Sequence, residues 1–370
     1  MKDNKRSLMV AGISLAMGLA AATSAFASPY SNMGTLVPNI VAGAPPDSPA
    51  GRVDPNLPTS AFSGVVSINI RFSANPQDSF ICTGTLVSKR DVISAGHCVD
   101  KDGQGHIIDI TQPGADVRVV FNASTVVGSP GRAIVTADHV YMNPFYQGFG
   151  NCPAGVPGFC VNDDISVIHM NADAPADAKI YSLLAGAVTE GQNDTMVGYG
   201  RSGDGFNGYT TGPDFRIKRT GQNVMDLFDQ DDEQNFAGGP LEVWYSDFDG
   251  KNRAGVLQDT FCTMFNVCTP IYANDVETNI GGGDSGGPSF YRTSTGEYLL
   301  MGNNTFGGTF DGQVPGEFGT YFGGILLSSY IPWLKEVTEN RITLVPEPST
   351  YALLFLALGL MGFAVRRNNG

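Results

Sequence analysis

The chain has 370 residues, of which 42% are hydrophobic, so it is long enough to bury a sizeable core in one or two domains. Its formal net charge of −14 disfavours nucleic acid and anionic membrane surfaces as partners, because both repel an acidic protein. The acidic excess favours solubility and says little about a substrate.

The N-terminal segment has the three parts of a secretory signal peptide. Residues 1–7 are basic, residues 8–22 are apolar, and residues 25–27 read Ala-Phe-Ala, a small-x-small cleavage site. The apolar run is too short for a transmembrane helix to be favoured. We therefore expect residues 1–27 to be removed during export, which makes disulfide bonds permissible.

A strand-rich region follows a linker. Residues 28–52 are rich in Pro, Gly, Ala and Ser without periodicity, which is typical of a disordered propeptide or linker. Short β-branched runs between turn residues then predict strands at residues 64–70, 79–87, 117–121, 133–137, 165–170, 194–199 and 299–306. No long amphipathic helical pattern interrupts them. We expect an all-β region, and closed barrels suit it because closure removes exposed edges.

Three polar motifs accompany these runs: Ser-Ala-Gly-His-Cys at residues 94–98, Asp-Asp-Ile-Ser-Val-Ile at 163–168, and Gly-Asp-Ser-Gly-Gly-Pro at 283–288. The glycines of the last motif allow backbone N–H groups to approach a bound molecule. A serine there becomes a nucleophile only with a histidine base and an orienting carboxylate, and the first two motifs contain both. A glycine-rich surface turn that contains a serine by chance is the alternative.

The order His97, Asp164, Ser285 and the residues around each resemble the trypsin/chymotrypsin-like serine proteases, over about residues 53–337. The hexapeptide is highly specific, whereas the histidine motif differs from the family's TAAHC at Gly96. The resemblance implies two packed six-stranded antiparallel β-barrels with a short C-terminal helix. The domain would span residues 53–340, with barrels at about 53–175 and 176–327. It also implies a secreted serine endopeptidase that hydrolyses peptide bonds through an acyl-enzyme.

The resemblance gives a role to each motif residue. Ser285 would be the nucleophile, His97 the general base and acid, and Asp164 the group that holds the imidazole tautomer. The backbone N–H groups of Gly283 and Ser285 would form the oxyanion hole. Asp163 is the rival carboxylate, but the family's aspartate directly precedes the isoleucine. No metal and no organic cofactor are expected.

Positions of the substrate pocket follow from the same comparison. Asn279 lies six residues before Ser285, where trypsin-like members carry an aspartate that binds a cationic side chain. A neutral amide cannot compensate that charge, so we expect a medium to large uncharged side chain at P1. Gly307 and Gly319 match small residues that keep the pocket open. Thr305 stands for a serine that borders the aspartate, and its backbone and that of Gly307 would pair with an extended substrate.

Six cysteines predict three disulfide bonds: Cys82–Cys98 by the resemblance, and Cys152–Cys160 and Cys262–Cys268 by proximity in sequence. Metal binding competes as an interpretation, but CxxC spacing and a histidine cluster are both missing. Gly281 stands where the family has another cysteine.

Activation in this family inserts a new N-terminal ammonium beside the aspartate that precedes the nucleophile, here Asp284. Two starts compete. Ile40 opens Ile-Val-Ala-Gly, which is similar to the family's IVGG, but it lies 42 residues before Cys82. Val53 follows the cleavable Arg52 and lies 29 residues before Cys82, closer to the family's interval. We therefore expect a zymogen that is cleaved after Arg52.

Two long loops are predicted, at residues 201–213 and 226–240. The second contains five acidic residues, Asp226, Asp229, Asp231, Asp232 and Glu233. Clustered carboxylates suit calcium, but the spacing of a known calcium loop is missing, which favours a solvated acidic surface. Further on, residues 329–335 resemble the family's C-terminal helix, with Ser328 or Ser329 as N-cap and Pro332 in the first turn.

Residues 345–370 form a separate module with Pro-Glu-Pro, an apolar run at 351–365, and two arginines. A helix over that run spans about 22 Å, less than the roughly 30 Å hydrocarbon core. The pattern resembles the bacterial PEP-CTERM sorting signal, which implies a Gram-negative source, export through the periplasm to the surface or medium, and transient membrane anchoring. A permanent anchor is the alternative.

The expected partners are protein or peptide substrates, with signal peptidase and a sorting transpeptidase acting during export, and the protease is expected to be a monomer. The competing class is a catalytically silent protease-fold binding protein of the cell surface or extracellular matrix. Such chains usually lack a triad member, whereas all three positions are filled here.

Overall fold

The computed structural model describes residue 43 and residues 48–121 and 132–346. The predicted signal peptide, most of the linker and most of the sorting tail lie outside the described residues. Of the part that is described, no helix is long and apolar enough to cross a membrane.

β-Strands are the main regular secondary structure of the described chain. The strands are β1 Val65–Arg71, β2 Ser79–Leu86, β3 Asp91–Ser94, β4 Asp116–Phe121, β5 Ala133–Met142, β6 Ser166–Met170, β7 Leu183–Leu184, β8 Gln192–Gly198, β9 Ser202–Asp204, β10 Gly208–Thr211, β11 Arg219–Met225, β12 Leu227–Gln230, β13 Leu241–Asp247, β14 Gly250–Lys251, β15 Leu257–Gln258, β16 Pro288–Arg292, β17 Tyr298–Gly308, β18 Tyr321–Leu326 and β19 Leu344–Val345. Two α-helices, Thr260–Phe265 and Ile331–Val337, and two 3-10 turns, Pro49–Arg52 and Leu327–Tyr330, complete it.

The first six strands close into an antiparallel barrel in the order β1-β2-β3-β6-β5-β4. In β1 the β-branched residues Val66, Ile68 and Ile70 alternate along the strand and are fully buried. Ile68 pairs with Cys82 of β2 on one side and Val119 of β4 on the other. The register of a strand that pairs on both edges and buries one face is strongly specified. Because β2 pairs with both β1 and β3, the barrel also fixes the end of β3, where the histidine motif begins.

The second group of strands runs in the order β11-β8-β16-β17-β18-β13, with β12 beyond β13. Its two ends meet, because Ser246 Oγ of β13 donates to the Val224 carbonyl of β11 at 2.6 Å. The Asp226 N–H also donates to the Tyr245 carbonyl at 2.8 Å. The sheet is thereby curled into a second barrel, and the prediction of an all-β, trypsin-like double-barrel fold is confirmed.

The helix Ile331–Val337 lies where the sequence predicts it, with Pro332 in its first turn. The predicted N-cap is wrong. Tyr330 occupies the N-cap position without a side-chain cap bond, because a 3-10 turn precedes the helix. Ser329 Oγ instead donates to the Leu241 carbonyl, and Leu334 is buried against the second barrel.

Both predicted loops contain strands. β9 and β10 form a hairpin within residues 201–213, and β12, which lies within residues 226–240, pairs with β13. These strands are only three or four residues long, too short for their sequence pattern to distinguish them from turns.

Candidate active site

His97 and Asp164 form a close pair between two segments of the first barrel. Asp164 Oδ2 lies 2.7 Å from His97 Nδ1, and Asp164 Oδ1 accepts the His97 backbone N–H, also at 2.7 Å. The Asp164 side chain is fully buried, whereas 25% of the His97 side chain is exposed. Both carboxylate oxygens of Asp164 are therefore hydrogen-bonded to one histidine.

Strand pairing brings the two residues together. β3 pairs with β6 so that Ser94 is opposite Ser166, and Ser166 Oγ donates to the Ala95 carbonyl at 2.7 Å. A Cβ built on Gly96 would lie 3.2 Å from Asp164 Oδ1, tighter than ordinary contact. An alanine at position 96, as in the family motif, would therefore require the Asp164 carboxylate to shift by a few tenths of an ångström.

The surroundings of His97 favour its charged form. Burial acts to lower its pKa, but the charge of Asp164 and the hydrogen bond to it outweigh burial and raise the pKa above the ordinary histidine value. The ring of Phe149 packs edge-on at 5.6 Å from the His97 ring centroid. Phe149 lies in the connection between β5 and β6. This connection therefore forms a wall of the site, which its sequence did not indicate.

Ser285 lies half-buried in a tight turn between the barrels. The Asp284 N–H donates to the Gly281 carbonyl at 2.9 Å, and the Gly287 N–H donates to the Asp284 carbonyl at 2.8 Å. Gly283 and Gly286 have φ of 107° and 77°, values that only glycine adopts without strain. The turn thus requires the glycines of the hexapeptide.

The turn is pinned to the first barrel beside the histidine motif. The Ser285 carbonyl accepts the Thr83 N–H at 2.8 Å, and Thr83 Oγ1 donates to the Gly283 carbonyl at 2.9 Å. A Cβ on Gly286 would lie 2.2 Å from Ser94 Oγ, so only glycine fits there. Ser285 is thereby held next to the segment that carries His97. In the described part of the chain no hydrogen bond links Ser285 Oγ to the His97 ring, and such bonds are often long without substrate.

Two backbone donors beside Ser285 are available. Among the described residues, no group accepts a hydrogen bond from the N–H of Gly283 or of Ser285, whereas the Gly286 N–H donates to the Asn304 carbonyl at 2.6 Å. Two adjacent free donors at a serine are the arrangement that could receive a developing oxyanion.

Asp284 is buried beneath this turn. Its carboxylate accepts the N–H groups of Gly200 at 2.7 Å and Gly281 at 2.8 Å. Burial raises the pKa of Asp284 to about 7, against the lowering effect of those two bonds and of the charge of Arg219. The carboxylate is hydrogen-bonded but not matched by a close cation in the described chain.

Val53 does not lie beside Asp284. It is 42% exposed and forms an antiparallel bridge with Arg219 on one edge of β11. On the other edge of β11, Arg219 pairs with Gly198 of β8, and Gly198 is the residue that lies next to the Asp284 carboxylate. Two strand spacings, about 10 Å, therefore separate Val53 from Asp284. Arg52 is also engaged, since its guanidinium donates to Thr278 Oγ1 at 2.8 Å. For a cleavage after Arg52 to place the new amine beside Asp284, Val53 would have to leave its bridge with Arg219 and move by about two strand spacings.

Gly43 shows a different arrangement. It is buried, and its carbonyl accepts the Gly205 N–H at 2.5 Å. A Cβ there would lie 1.7 Å from the Asn274 carbonyl oxygen, so the backbone is tightly enclosed. The chain three residues after Ile40 is thus already docked against the second barrel.

The predicted pocket residues lie at neighbouring positions. Asn279 is 2% exposed, and its amide donates to Thr320 Oγ1 at 3.0 Å. Gly319 has φ of 91° and its carbonyl accepts the Thr260 hydroxyl, whereas Gly307 has room for a Cβ. Thr305 is buried, and its hydroxyl has no hydrogen-bond partner among the described residues.

Tyr209, on β10, was missed by the sequence analysis. Its hydroxyl donates to the Ile280 carbonyl at 2.7 Å and lies 3.9 Å from a Cβ built on Gly307. A Cβ on Gly281 would lie 2.8 Å from the Tyr209 ring and 2.6 Å from the Arg201 carbonyl oxygen. Tyr209 therefore supports the segment where the family has a disulfide, and it narrows the space beside Gly307.

The cysteines form three disulfide bonds, Cys82–Cys98, Cys152–Cys160 and Cys262–Cys268, and none is free. The first joins β2 to the segment after His97. The grouping of Cys82, His97 and Cys98 is thereby explained by a disulfide beside a histidine, not by metal binding.

Asp163 turns away from His97. Its N–H donates to Tyr330 Oη at 3.1 Å, and its carboxylate lies with those of Asp232, Glu233 and Glu242. Burial and the neighbouring carboxylates raise the pKa of Asp163 to about 9 and that of Glu242 to about 7. The predicted solvated acidic surface is wrong here, because the hairpin of β12 and β13 folds Asp226, Asp229 and Asp232 into the protein.

The fold is a double β-barrel, and a histidine–carboxylate pair lies beside a serine in a glycine-rich turn. These features together are typical of serine protease-like hydrolases. Comparison with known families agrees. The family described as Trypsin matches residues 58–219, and the PEP-CTERM protein-sorting motif matches residues 344–368. Residues 58–219 thus match the Trypsin family, and a sorting motif for export lies C-terminal to them at residues 344–368. No curated protein matches the chain.

Proposed function

We propose that the protein is an exported serine endopeptidase whose triad is His97, Asp164 and Ser285. The observation that carries this proposal is the fully buried Asp164, whose two carboxylate oxygens are both hydrogen-bonded to His97 at 2.7 Å. The turn formed by residues 283–288 holds Ser285 beside the segment that contains His97. A purely structural role for the pair would not require two free N–H donors next to the serine.

In the proposed mechanism Ser285 Oγ attacks the scissile carbonyl carbon, and His97 takes the hydroxyl proton. Asp164 keeps the imidazole tautomer with its proton on Nδ1 and stabilises the imidazolium. The N–H groups of Gly283 and Ser285 stabilise the oxyanion, and each such donor lowers the barrier by about 3 kcal/mol. His97 then protonates the leaving amine, and water, deprotonated by His97, hydrolyses the acyl-enzyme to acid and free Ser285.

The proposed P1 preference is for uncharged side chains. Asn279 carries no charge, and its amide is already bonded to Thr320, so it cannot neutralise a buried ammonium or guanidinium. Thr305 and Gly307 lie on β17 and would pair with the substrate backbone as an added strand. A peptide-library digest that showed cleavage mainly after Arg or Lys would overturn this preference.

We further propose that the mature protein consists of the double-barrel domain alone, released at the surface or into the medium by a sorting transpeptidase. The match to the sorting motif at residues 344–368 supports removal of the tail. Mass spectrometry of protein exported by the native host should end before Tyr351, and intact Arg366 in released protein would contradict the proposal.

The test of the proposed activity is Ser285→Ala, compared with Ser294→Ala as a matched control in an exposed turn between β16 and β17. Loss of the nucleophile should reduce kcat by about 10⁶-fold with unchanged folding and secretion. Ser294→Ala should keep the parent activity. If Ser285→Ala keeps more than about a tenth of the activity, the assignment fails. If the folded, processed parent protein is inactive on all library peptides, the catalytically silent binding protein is the better description.

A further inference from the structure

An acidic cluster, formed by Asp163, Asp232, Glu233 and Glu242, lies where the first barrel meets the hairpin of β12 and β13. Each of the four residues contributes a carboxylate oxygen that lies within 4.8 Å of the other three. Asp163, Asp232 and Glu242 are buried, whereas Glu233 is exposed. The cluster therefore has a buried interior and one side that an ion could enter.

Among the described residues, no ion pair joins a carboxylate of this cluster to a basic side chain. The charges that act most strongly on Asp163 are those of Glu242, Glu233 and Asp232, and those acting on Glu242 are Asp231 and Glu233. The Asn162 amide donates to Glu242 Oε2 at 2.9 Å. Like charges this close, away from water, repel one another strongly unless a cation or protons intervene.

A second observation points to a missing ligand partner. Asp232 is only 3% exposed, and its Oδ1 has no hydrogen-bond partner in the described part of the chain. A buried carboxylate oxygen without a donor is costly, and native structures normally provide a partner. The neighbouring groups of the cluster, Asp163, Glu233 and Glu242, are also carboxylates. The partner that fits Asp232 is therefore a cation.

We propose that the acidic cluster binds a calcium ion. Calcium takes carboxylate oxygens at about 2.3–2.6 Å, so two of its ligands lie at most about 5 Å apart, a limit that the oxygens of this cluster meet. The ion would be held by the buried Asp163, Asp232 and Glu242 and by Glu233 at the open side. Water would complete the coordination there.

The location gives the ion a structural role next to the active site. Asp163 directly precedes Asp164, and it has φ of 60°, an unusual value for a residue other than glycine. Asp232 and Glu242 come from the second barrel, so one ion would tie that barrel to the backbone that presents Asp164. Calcium binding is therefore expected to raise the stability of the folded domain whether or not the protein is a protease.

The test uses the processed protein with the Ser285→Ala change, to prevent self-digestion, after removal of divalent cations with a chelating resin. Titration with CaCl2 alone should show one site with a Kd of about 10⁻³ M or tighter by calorimetry. At about 100 times Kd, Tm should rise by roughly 5 °C. Asp232→Asn should weaken binding at least about tenfold and reduce the Tm shift.

Asp311→Asn is the matched control, because it removes the same charge from an exposed position outside the acidic cluster. It should bind calcium as the parent does. Equal binding by Asp232→Asn and Asp311→Asn would overturn the proposal, as would the absence of any heat or Tm shift in the parent up to about 10 mM CaCl2. Tighter binding of MgCl2 than of CaCl2 would overturn the assignment to calcium. If Asp232→Asn does not fold, Glu242→Gln and the parent titration decide.

Discussion

At the scale of single residues, the chemistry depends on how Asp164 controls His97. Burial of the ring acts to lower the pKa of His97, but the charge of Asp164, the hydrogen bond to it at 2.7 Å and the charge of Asp100 together raise the pKa above the ordinary histidine value. The base needed for catalysis is the neutral imidazole. Activity is therefore low when pH is below this pKa and rises as pH passes through it.

We predict that kcat/KM rises with pH through a midpoint above the ordinary histidine value of about 6.5. Asp164→Asn removes the charge that raises the pKa and also disturbs the tautomer, so the midpoint should move to lower pH and kcat should fall by about 10⁴-fold. The measurement is a pH profile of kcat/KM on one uncharged peptide substrate. A parent midpoint below about 6.5, or an Asp164→Asn profile superimposable on the parent, would contradict the assignment.

The pocket gives a second prediction at this scale. Tyr209→Ala removes the ring beside Gly307, so cleavage after large uncharged side chains should rise by about tenfold relative to small ones. Tyr209→Phe is the control, since it keeps the ring and loses only the hydrogen bond to the Ile280 carbonyl. Peptide-library profiling of the three proteins measures this ratio. An unchanged profile in Tyr209→Ala would show that the ring does not limit P1.

The three motif residues could be predicted because each lies in a short, specific local sequence. The role of Tyr209 could not be predicted, because its hydrogen bond to Ile280 joins positions 71 residues apart. The sequence around β10 contains no pattern that indicates this contact. The same holds for Asp232, whose acidic neighbourhood in sequence indicates a surface loop. Only the pairing of β12 with β13 buries it.

At the scale of elements, the N-terminal segment is where the interval to Cys82 and the packing of the chain favour different mature starts. The interval to Cys82 favours Val53 as the mature start, but Val53 continues the sheet on the far edge of β11. The docked residue is Gly43, enclosed by the Asn274 and Glu277 carbonyls. Three residues span at most about 10 Å, so the amine of a chain that starts at Ile40 would lie within about 10 Å of Gly43.

We therefore predict that N-terminal sequencing of the active enzyme gives Ile40. Arg52→Gln should then leave activation and activity unchanged, because Arg52 is a structural residue that donates to Thr278 Oγ1. A matched change, Asn39→Pro, alters the residue before the proposed cleavage and should slow processing. A sequence that begins at Val53, or an inactive Arg52→Gln zymogen, would refute the Ile40 start.

At the scale of the whole molecule, the double barrel follows from strands that each have a clear pattern. β1, β2, β8 and β17 all appear where β-branched and apolar runs predict them. The short strands β9 and β12 were not predicted, because three or four residues show too little pattern and the pairing depends on their hairpin partners. The sequence thus predicts the architecture, whereas two walls of the site, Phe149 and Tyr209, are placed by contacts between residues that are distant in sequence.

The account's central claim is that Ser285 is a nucleophile activated by His97 and Asp164, and covalent labelling tests it most directly. Processed protein is incubated with a fluorophosphonate probe, and the labelled peptide is identified by mass spectrometry. We predict one probe per chain, attached to Ser285, with labelling abolished in Ser285→Ala, strongly slowed in His97→Ala and unchanged in Ser294→Ala. Folded, processed protein that takes up no probe, or takes it up at another residue, would contradict the claim.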